Sequence, residues 1–408
     1  MRATQVLLQQ HHGRMFRRHW KLQGHRKLID NGALKSLKER GIQVENALDV
    51  VNDKVVLPHR FPLKPLITVE VSNAVELVQH FIFDDSNVLV SGLDHAKNFT
   101  NSIEILSESL NVATAESDFS RHDLVKRCIK SSLLYDAYQE KLPKRTDPER
   151  PAWNFPRDYG ITDRRRNLLL CNRMIQLCSS LNPQLLAHRR TLSDATFRVP
   201  LERDGEKVLM SLRADILLTS SEELEAPSTS IDVNENKKDE DVPDLHPMTS
   251  TVSLTKEITP VNQLVDSSPF VYGFSKCNVH TAIVHYNSTE TANIHDLDVS
   301  QDQFLSRSLM KAYAFALAEA RRRYGADIEN LPHPVTVQCV HTDSKDFHFA
   351  VLQLNTVKDN TLTDERNFYW SLPIQTLYET CEYSSGKPVI EGYNPSVFNT
   401  LLAFCRNN

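Results

Sequence analysis

Glycine is scarce in this chain, 11 residues in 408, and none is spaced as GxGxxG or GxxxxGK. Backbone that approaches a phosphate closely needs glycine at those fixed places, so two common classes of nucleotide-dependent enzyme are excluded. HExxH is absent, and Ser275 in YGFSKC lacks the second glycine of a nucleophile elbow, which makes it a loop residue. There is no run of eighteen apolar residues and no hydrophobic core of a secretory signal, so neither a membrane span nor an export route is indicated. The 7 cysteines (Cys128, Cys171, Cys178, Cys277, Cys339, Cys381 and Cys405) form no CxxC pair and mostly stand among apolar neighbours. They read as reduced core residues, not as a disulfide framework or a zinc site. No repeat of fixed period is visible.

Charge is unevenly spread. Residues 1–29 contain no Asp or Glu but hold Arg2, Arg14, Arg17, Arg18, Lys21, Arg26 and Lys27, interspersed with Val6, Leu7, Leu8, Met15, Phe16 and Trp20. That pattern is a cationic amphipathic helix of the mitochondrial presequence type, the alternative being a plain basic arm. Without those cations the formal charge would move from -5 to -12. An acidic body does not coat RNA nonspecifically, so RNA contact has to come from local patches.

At 46.6 kDa and 40% hydrophobic residues, the chain can bury one large core or two ordinary ones. Ser300 and Gln303 spell a capping box, Leu305, Leu309, Ala312, Ala316 and Ala320 recur at helical spacing, and Gly325 supplies a left-handed stop. Val335, Val337 and Cys339 then alternate with Thr336 and Gln338 as a strand with one face in the core, followed by a polar turn from His341 to Asp346. The return strand, Phe347 to Leu354, is apolar on both faces, as a central strand is. A helix is expected over Arg121–Leu142 with Leu124, Cys128, Leu134 and Tyr138 on its apolar stripe. Another starts at Thr162 and carries Leu168, Cys171, Ile175 and Cys178. VELVQHFIF fits a helix or a buried strand equally, and LPHRFPLKPLITVEV reads as extended chain entering the body near Val69 and Val71. Elements are mixed without regular alternation, so the expected class is α+β, helices packed on a sheet. The expected organisation is a presequence or basic arm at 1–29, an N-terminal α+β region at 30–218, an acidic flexible segment at 219–268 and a C-terminal α+β region at 269–408. Between Glu222 and Asp244 nine acidic residues face only Lys237 and Lys238, too little apolar area to offset ordering entropy.

Two basic regions are candidate RNA contacts. Residues 143–159 form a proline-stiffened arm in which Lys144, Arg145, Arg150 and Arg157 mix with Trp153, Phe155 and Tyr159, cations for phosphates and rings for unpaired bases. The alternative is a solvated loop whose rings pack back on the core. Arg164, Arg165 and Arg166 follow at a helix start, where the dipole disfavours cations, which points to phosphate or an acidic partner. Arg321, Arg322 and Arg323 end the long helix, a place where cations are locally favourable.

The runs AFALAEARRRYG and PHPVTVQCVHTDSKDFHFAVLQLNT, with weaker echoes in NRMIQLCSSLNPQLLAHRR and SPFVYGFSKCNVH, resemble a family of mitochondrial large-ribosomal-subunit proteins. The family includes a ribosomal paralogue once called programmed-cell-death protein nine. The resemblance implies a structural constituent of the mitochondrial ribosome in the matrix, a part of the ribonucleoprotein that supports translation. Its implied partners are mitochondrial rRNA and other large-subunit proteins, including the paralogue, with no catalytic residue, cofactor, metal or small-molecule substrate. Residues 220–266 have no counterpart in it. The rival reading is an imported metal-dependent nuclease or hydrolase using His341, Asp343, Asp346 and His348, since imidazole and carboxylate together suit metal binding or acid–base chemistry. Against it, Asp343, Ser344, Lys345 and Asp346 are ordinary hairpin-turn residues. A third reading is a free adaptor whose acidic segment binds basic partners.

Overall fold

The computed structural model describes residues 32–44, 76–105, 119–136, 138–142, 144, 147, 149–150, 152, 154–156, 158–227, 254–270, 275–288, 290–291, 297–358, 365–385 and 387–407. The expected presequence, the segment around Val69 and Val71, and most of the acidic stretch lie outside these. The chain divides into two units, Met1–Ala74 and Val75–Asn408. In the first, the described element is α1 (Ala33–Glu39), entered through Gly32 at φ 71°.

The second unit runs β1 (Leu77–Asp84), α2 (Gly92–Thr100), β2 (Ser102–Ile105), α3 (Phe119–Leu133), β3 (Glu140–Lys141), β4 (Tyr159–Gly160), α4 (Asp163–Leu181) and α5 (Leu185–His188). It continues with β5 (Arg189–Arg203), β6 (Glu206–Ser220), β7 (Thr255–Pro260), β8 (Asn278–His285), α6 (Gln301–Tyr324), β9 (Asn330–Thr342) and β10 (Asp346–Thr356). The last elements are β11 (Asn367–Ser371), β12 (Gln375–Thr376), β13 (Thr380–Ser384), β14 (Lys387–Glu391) and α7 (Pro395–Arg406).

Helix α6 begins where its sequence says. Ser300 Oγ accepts the Gln303 N–H at 3.3 Å and Gln303 Oε1 accepts the Ser300 N–H at 3.0 Å. Gly325 ends it at φ 103°, ψ 162°, positive φ with an extended ψ, so the stop is a glycine conformation but not a left-handed helical one. Every residue from Ser306 to Ala320 is buried. The helix packs on α2 and on strands β5, β6, β8, β9 and β10, and its alanines admit close approach.

One mixed ten-stranded sheet runs β2-β11-β10-β9-β8-β6-β1-β7, with β5 added to β6 and β12 to β10. The pairs β1/β6, β8/β9 and β2/β11 are parallel and the others antiparallel. Alternate residues of β10 face two cores: Ala350, Leu352 and Leu354 join α2 and α6, while Phe347, Phe349 and Val351 join α3, α4 and α7. Helices thus cover both sheet faces. For that reason β9 is buried on both faces, Thr336 and Gln338 included, and not on one as its alternation suggested. VELVQHFIF contributes strand β1. Strand β7 lies within the interval 219–268, and strands from either side of that interval pair in the same sheet.

Helix α3 differs from expectation in length and face. It stops at Leu133, and Val125, Ile129 and Leu133 are its core positions, whereas Leu124 is 41% exposed. The buried stripe also includes the polar His122 and Ser132, which hid its true phase.

Along β6, one edge pairs with β5 throughout, and the other is shared by β1 at Val208–Ser211 and β8 at Ile216–Ser220. Because β1 runs parallel to β6 and β8 antiparallel, their carboxyl ends converge on residues 212–215. Side chains complete the ladder there: the Arg213 N–H donates to Asp85 Oδ1 at 3.2 Å and the Arg213 carbonyl accepts from Lys311 Nζ at 3.3 Å. Opposite, Asp194 takes φ 52°. Side-chain alternation inverts across this point: Leu212 and Ala214 belong to the α6 core, but Ile216 and Leu218 to the other.

Asn367 joins three segments with the four hydrogen bonds of its side chain. Its Oδ1 accepts from the N–H groups of Asn355 at 2.7 Å and Thr356 at 3.0 Å, and its Nδ2 donates to the carbonyls of Thr100 at 2.8 Å and Thr356 at 3.0 Å. Asn367→Ala strands these buried partners and is expected to cost about 2–4 kcal/mol in urea unfolding. A loss below about 0.5 kcal/mol would show that the junction is held otherwise.

Candidate nucleic-acid interface

The arm expected at 143–159 leaves the body through a pinched base. Glu140 pairs with Gly160 and Lys141 with Tyr159, and the Leu142 N–H donates to the Asp158 carbonyl at 3.0 Å. A Cβ on Gly160 would stand 3.0 Å from the Leu142 side chain, which would have to shift slightly to admit it. Lys144 is exposed and donates to Asn154 Oδ1 at 2.7 Å; Arg150 is exposed, Phe155 half-buried, and Tyr159 65% exposed. Arg145, Trp153 and Arg157 lie outside the described residues.

The three arginines opening α4 each meet a carboxylate of this chain, which accounts for cations at a helix start. Arg164 lies 3.6 Å from Asp194, Arg165 grips Asp136 through Nε and Nη2, and Arg166 lies 3.3 Å from Asp163. Arg165 also covers the ring of Tyr138 at 4.7 Å. Tyr138, expected on the buried stripe of α3, is exposed, as are Tyr135 and Tyr383, whose rings meet edge to face. Tyr135 and Tyr383 carried no sequence signal beyond their being aromatics near lysines.

At the far end of α6, Arg322 and Arg323 close on Glu319, a fully buried carboxylate, with Nε–O distances of 3.0 and 2.6 Å. Arg323 reaches Glu223 as well, Arg322 reaches Asn278, and Arg321 binds the Pro200 carbonyl at 2.6 Å and Asp266 at 2.7 Å. Their first task is therefore internal: without two guanidinium groups Glu319 would be an uncompensated buried charge.

The His/Asp cluster separates. His341 and His348 are fully buried on one sheet face, where Ser308 Oγ of α6 lies 3.3 and 2.8 Å from their Nδ1 atoms, His348 Nε2 lies 2.9 Å from Ser371 Oγ, and Phe304 stacks on His341 at 4.0 Å. Asp343 caps the turn, Oδ1 accepting the N–H groups of Lys345 at 2.8 Å and Asp346 at 2.7 Å. Burial raises its pKa, and Asp346 engages Thr376. Among the described residues no three His, Cys, Asp or Glu side chains converge as metal ligands.

Comparison with known proteins points to ribosomal proteins. A family profile described as "Mitochondrial 28S ribosomal protein S30 (PDCD9)" matches residues 203–408, from the end of β5 through α7. The protein named "Large ribosomal subunit protein mL37" is similar to this chain in Gallus gallus, 28% identical over 240 residues, 56% of this chain and 54% of the relative. In Mus musculus and Bos taurus the protein of that name is 29% identical over 247 and 246 residues, 58% of this chain and 56% of each relative. The match spans little more than half the length of these relatives.

Burial holds His341 well below its ordinary pKa of 6.5 and pushes His348 down to about 3. Below pH 6.5 the unfolded chain therefore binds protons that the folded chain refuses, so stability is fully present above that pH and lost as pH falls. Each histidine contributes a loss of up to about 1.4 kcal/mol per pH unit. Urea midpoints should fall from pH 7.5 to 5, less steeply in His348→Asn; a midpoint unchanged over that range would mean the pair is protonated in place.

Proposed function

The chain belongs to the mitochondrial ribosomal protein family described as 28S ribosomal protein S30 (PDCD9), and from that premise we propose that it is a structural component of the mitochondrial large ribosomal subunit, working in the matrix. The carrying observation is that the family match covers the buried helix α6 and most of the central sheet. The family's description and the relatives' name denote different subunits. The relatives match over the longer stretch, 56–58% of the chain, and favour the large one.

Its action is occupancy. The body presents a folded surface, exposed cations and rings at the arm and the start of α4 contact rRNA phosphates and bases, and neighbouring ribosomal proteins, the paralogue among them, cover other faces. Binding of that kind stabilises the particle by mass action and requires no bond to be made or broken. Residues 1–29 serve as the import presequence. Arg145, Trp153 and Arg157 belong to the same contact, while Arg321, Arg322 and Arg323 assist it only where their internal carboxylates leave donors unused.

Within the contact the residues carry unequal roles. Arg164 is half exposed and loosely paired, so its guanidinium is available to phosphate; Arg165 is committed to Asp136. Replacing Lys144, Arg150 and Arg164 together with glutamine is expected to strip the protein from large subunits at lower salt, through lost counterion release, with melting unchanged. Arg165→Gln is expected to lower the melting temperature instead. Equal sedimentation of the triple variant and the parent with large subunits at raised salt would reject this contact.

A further inference from the structure

Between the converging ends of β1 and β8 lies a cleft of about 350 Å³, at the lower end of the roughly 300–1,000 Å³ typical of ligand pockets. It lies at the carboxyl ends of two strands, the place where open α/β sheets hold ligands. Among the described residues its lining side chains are all polar, Asp, Glu, Ser, Thr, Asn, Arg, Lys and one His.

Its charges divide into satisfied and unsatisfied groups. Asp85 holds Lys311 and the Arg213 N–H; Asp215 Oδ2 accepts the His285 N–H at 2.8 Å; Asp84 Oδ1 accepts from Ser86 N–H and Oγ at 2.8 and 2.6 Å. The guanidinium groups are less well served. Arg307, 4% exposed on α6, donates Nη1 to the carbonyls of Asp85 and Asn87 at 2.9 and 3.0 Å, while its Nε has no acceptor. Arg213 stands 3.8 Å from Asp194 and 3.6 Å from Asp215, beyond hydrogen-bond length, and its Nε also lacks an acceptor. Arg203 is the contrast: equally buried, it donates to Phe99, Glu202 and Val357 carbonyls and to the Tyr313 hydroxyl.

Two neighbouring guanidinium groups with unused donors call for an oxyanion, and carboxylates with free lone pairs on an all-polar wall call for hydroxyl donors. We propose that this cleft binds a ribose–phosphate group, the phosphate against Arg307 and Arg213 and the sugar hydroxyls on Asp84 and Asp215. A metal is disfavoured, because the Lys311 ammonium already sits on Asp85 and, among the described residues, no three ligand side chains converge.

Ribose 5-phosphate and the 3′-terminal nucleotide of an RNA strand both present a 5′-phosphate with free 2′- and 3′-hydroxyls. Calorimetric titration of the full chain with ribose 5-phosphate should show saturable binding, with ribose alone at least tenfold weaker. Arg213→Gln, at a partly exposed side chain, should weaken ribose 5-phosphate at least tenfold with an unchanged circular-dichroism spectrum, and Arg307→Met should remove binding. If Arg307→Met does not fold, Arg213→Gln decides. Displacement of ribose 5-phosphate by a short single-stranded oligoribonucleotide identifies RNA as the source, and failure to displace it identifies the free sugar phosphate. No binding of either probe, or equal affinity in Arg213→Gln and the parent, overturns the proposal.

Discussion

The structure depends on enclosing one helix. Fifteen consecutive residues of α6, Ser306 to Ala320, are out of water, so its polar side chains must find partners inside the protein. Four of them do so in different ways. Ser308 takes two imidazoles, Lys311 and Arg307 turn toward the gap along β6, and Glu319 collects two arginines. The clusters that look like chemistry in the sequence are largely what a buried helix with this composition requires.

A second constraint follows from the first. To surround α6 on one side and still bury α3, α4 and α7 on the other, the central strands must be apolar on both faces, and β9 and β10 are. The long β5–β6 hairpin reconciles the two cores by inverting its alternation at Asp194 and Asp215, where Asp194 adopts a left-handed conformation and β6 lacks a strand partner on one edge. Backbone satisfaction passes there to Asp85 and Lys311, and a polar cleft results.

Legibility in the sequence tracked the locality of the signal. The capping box at Ser300, the glycine at 325 and the two-faced strand at 347–354 were readable because neighbouring residues encode them. VELVQHFIF fits both elements because its apolar residues follow neither period cleanly, and in β1 only His80 and Phe83 are buried. The phase of α3 was misjudged because His122 and Ser132 are buried while Leu124 is not, a choice made by tertiary packing. Arg164, Arg165 and Arg166 stood out at a helix start, but two of their carboxylate partners, Asp136 and Asp194, are remote in sequence. The cleft draws on four separate segments and left one trace, Arg307 and Lys311 four residues apart within the buried stretch of α6.

The surface carries a clamped basic arm, exposed tyrosines, and arginines at the start of α4, the groups proposed to contact rRNA. His348, Asp343 and Glu319 are engaged in holding the fold, in keeping with the proposed part in a larger body. Electron cryo-microscopy of mitochondrial large subunits carrying the tagged chain tests that directly. The account predicts density for the ten-stranded sheet and α6 at one fixed position, with the arm and the start of α4 against rRNA. Particles lacking that density, with the chain recovered as a free soluble species, would contradict it.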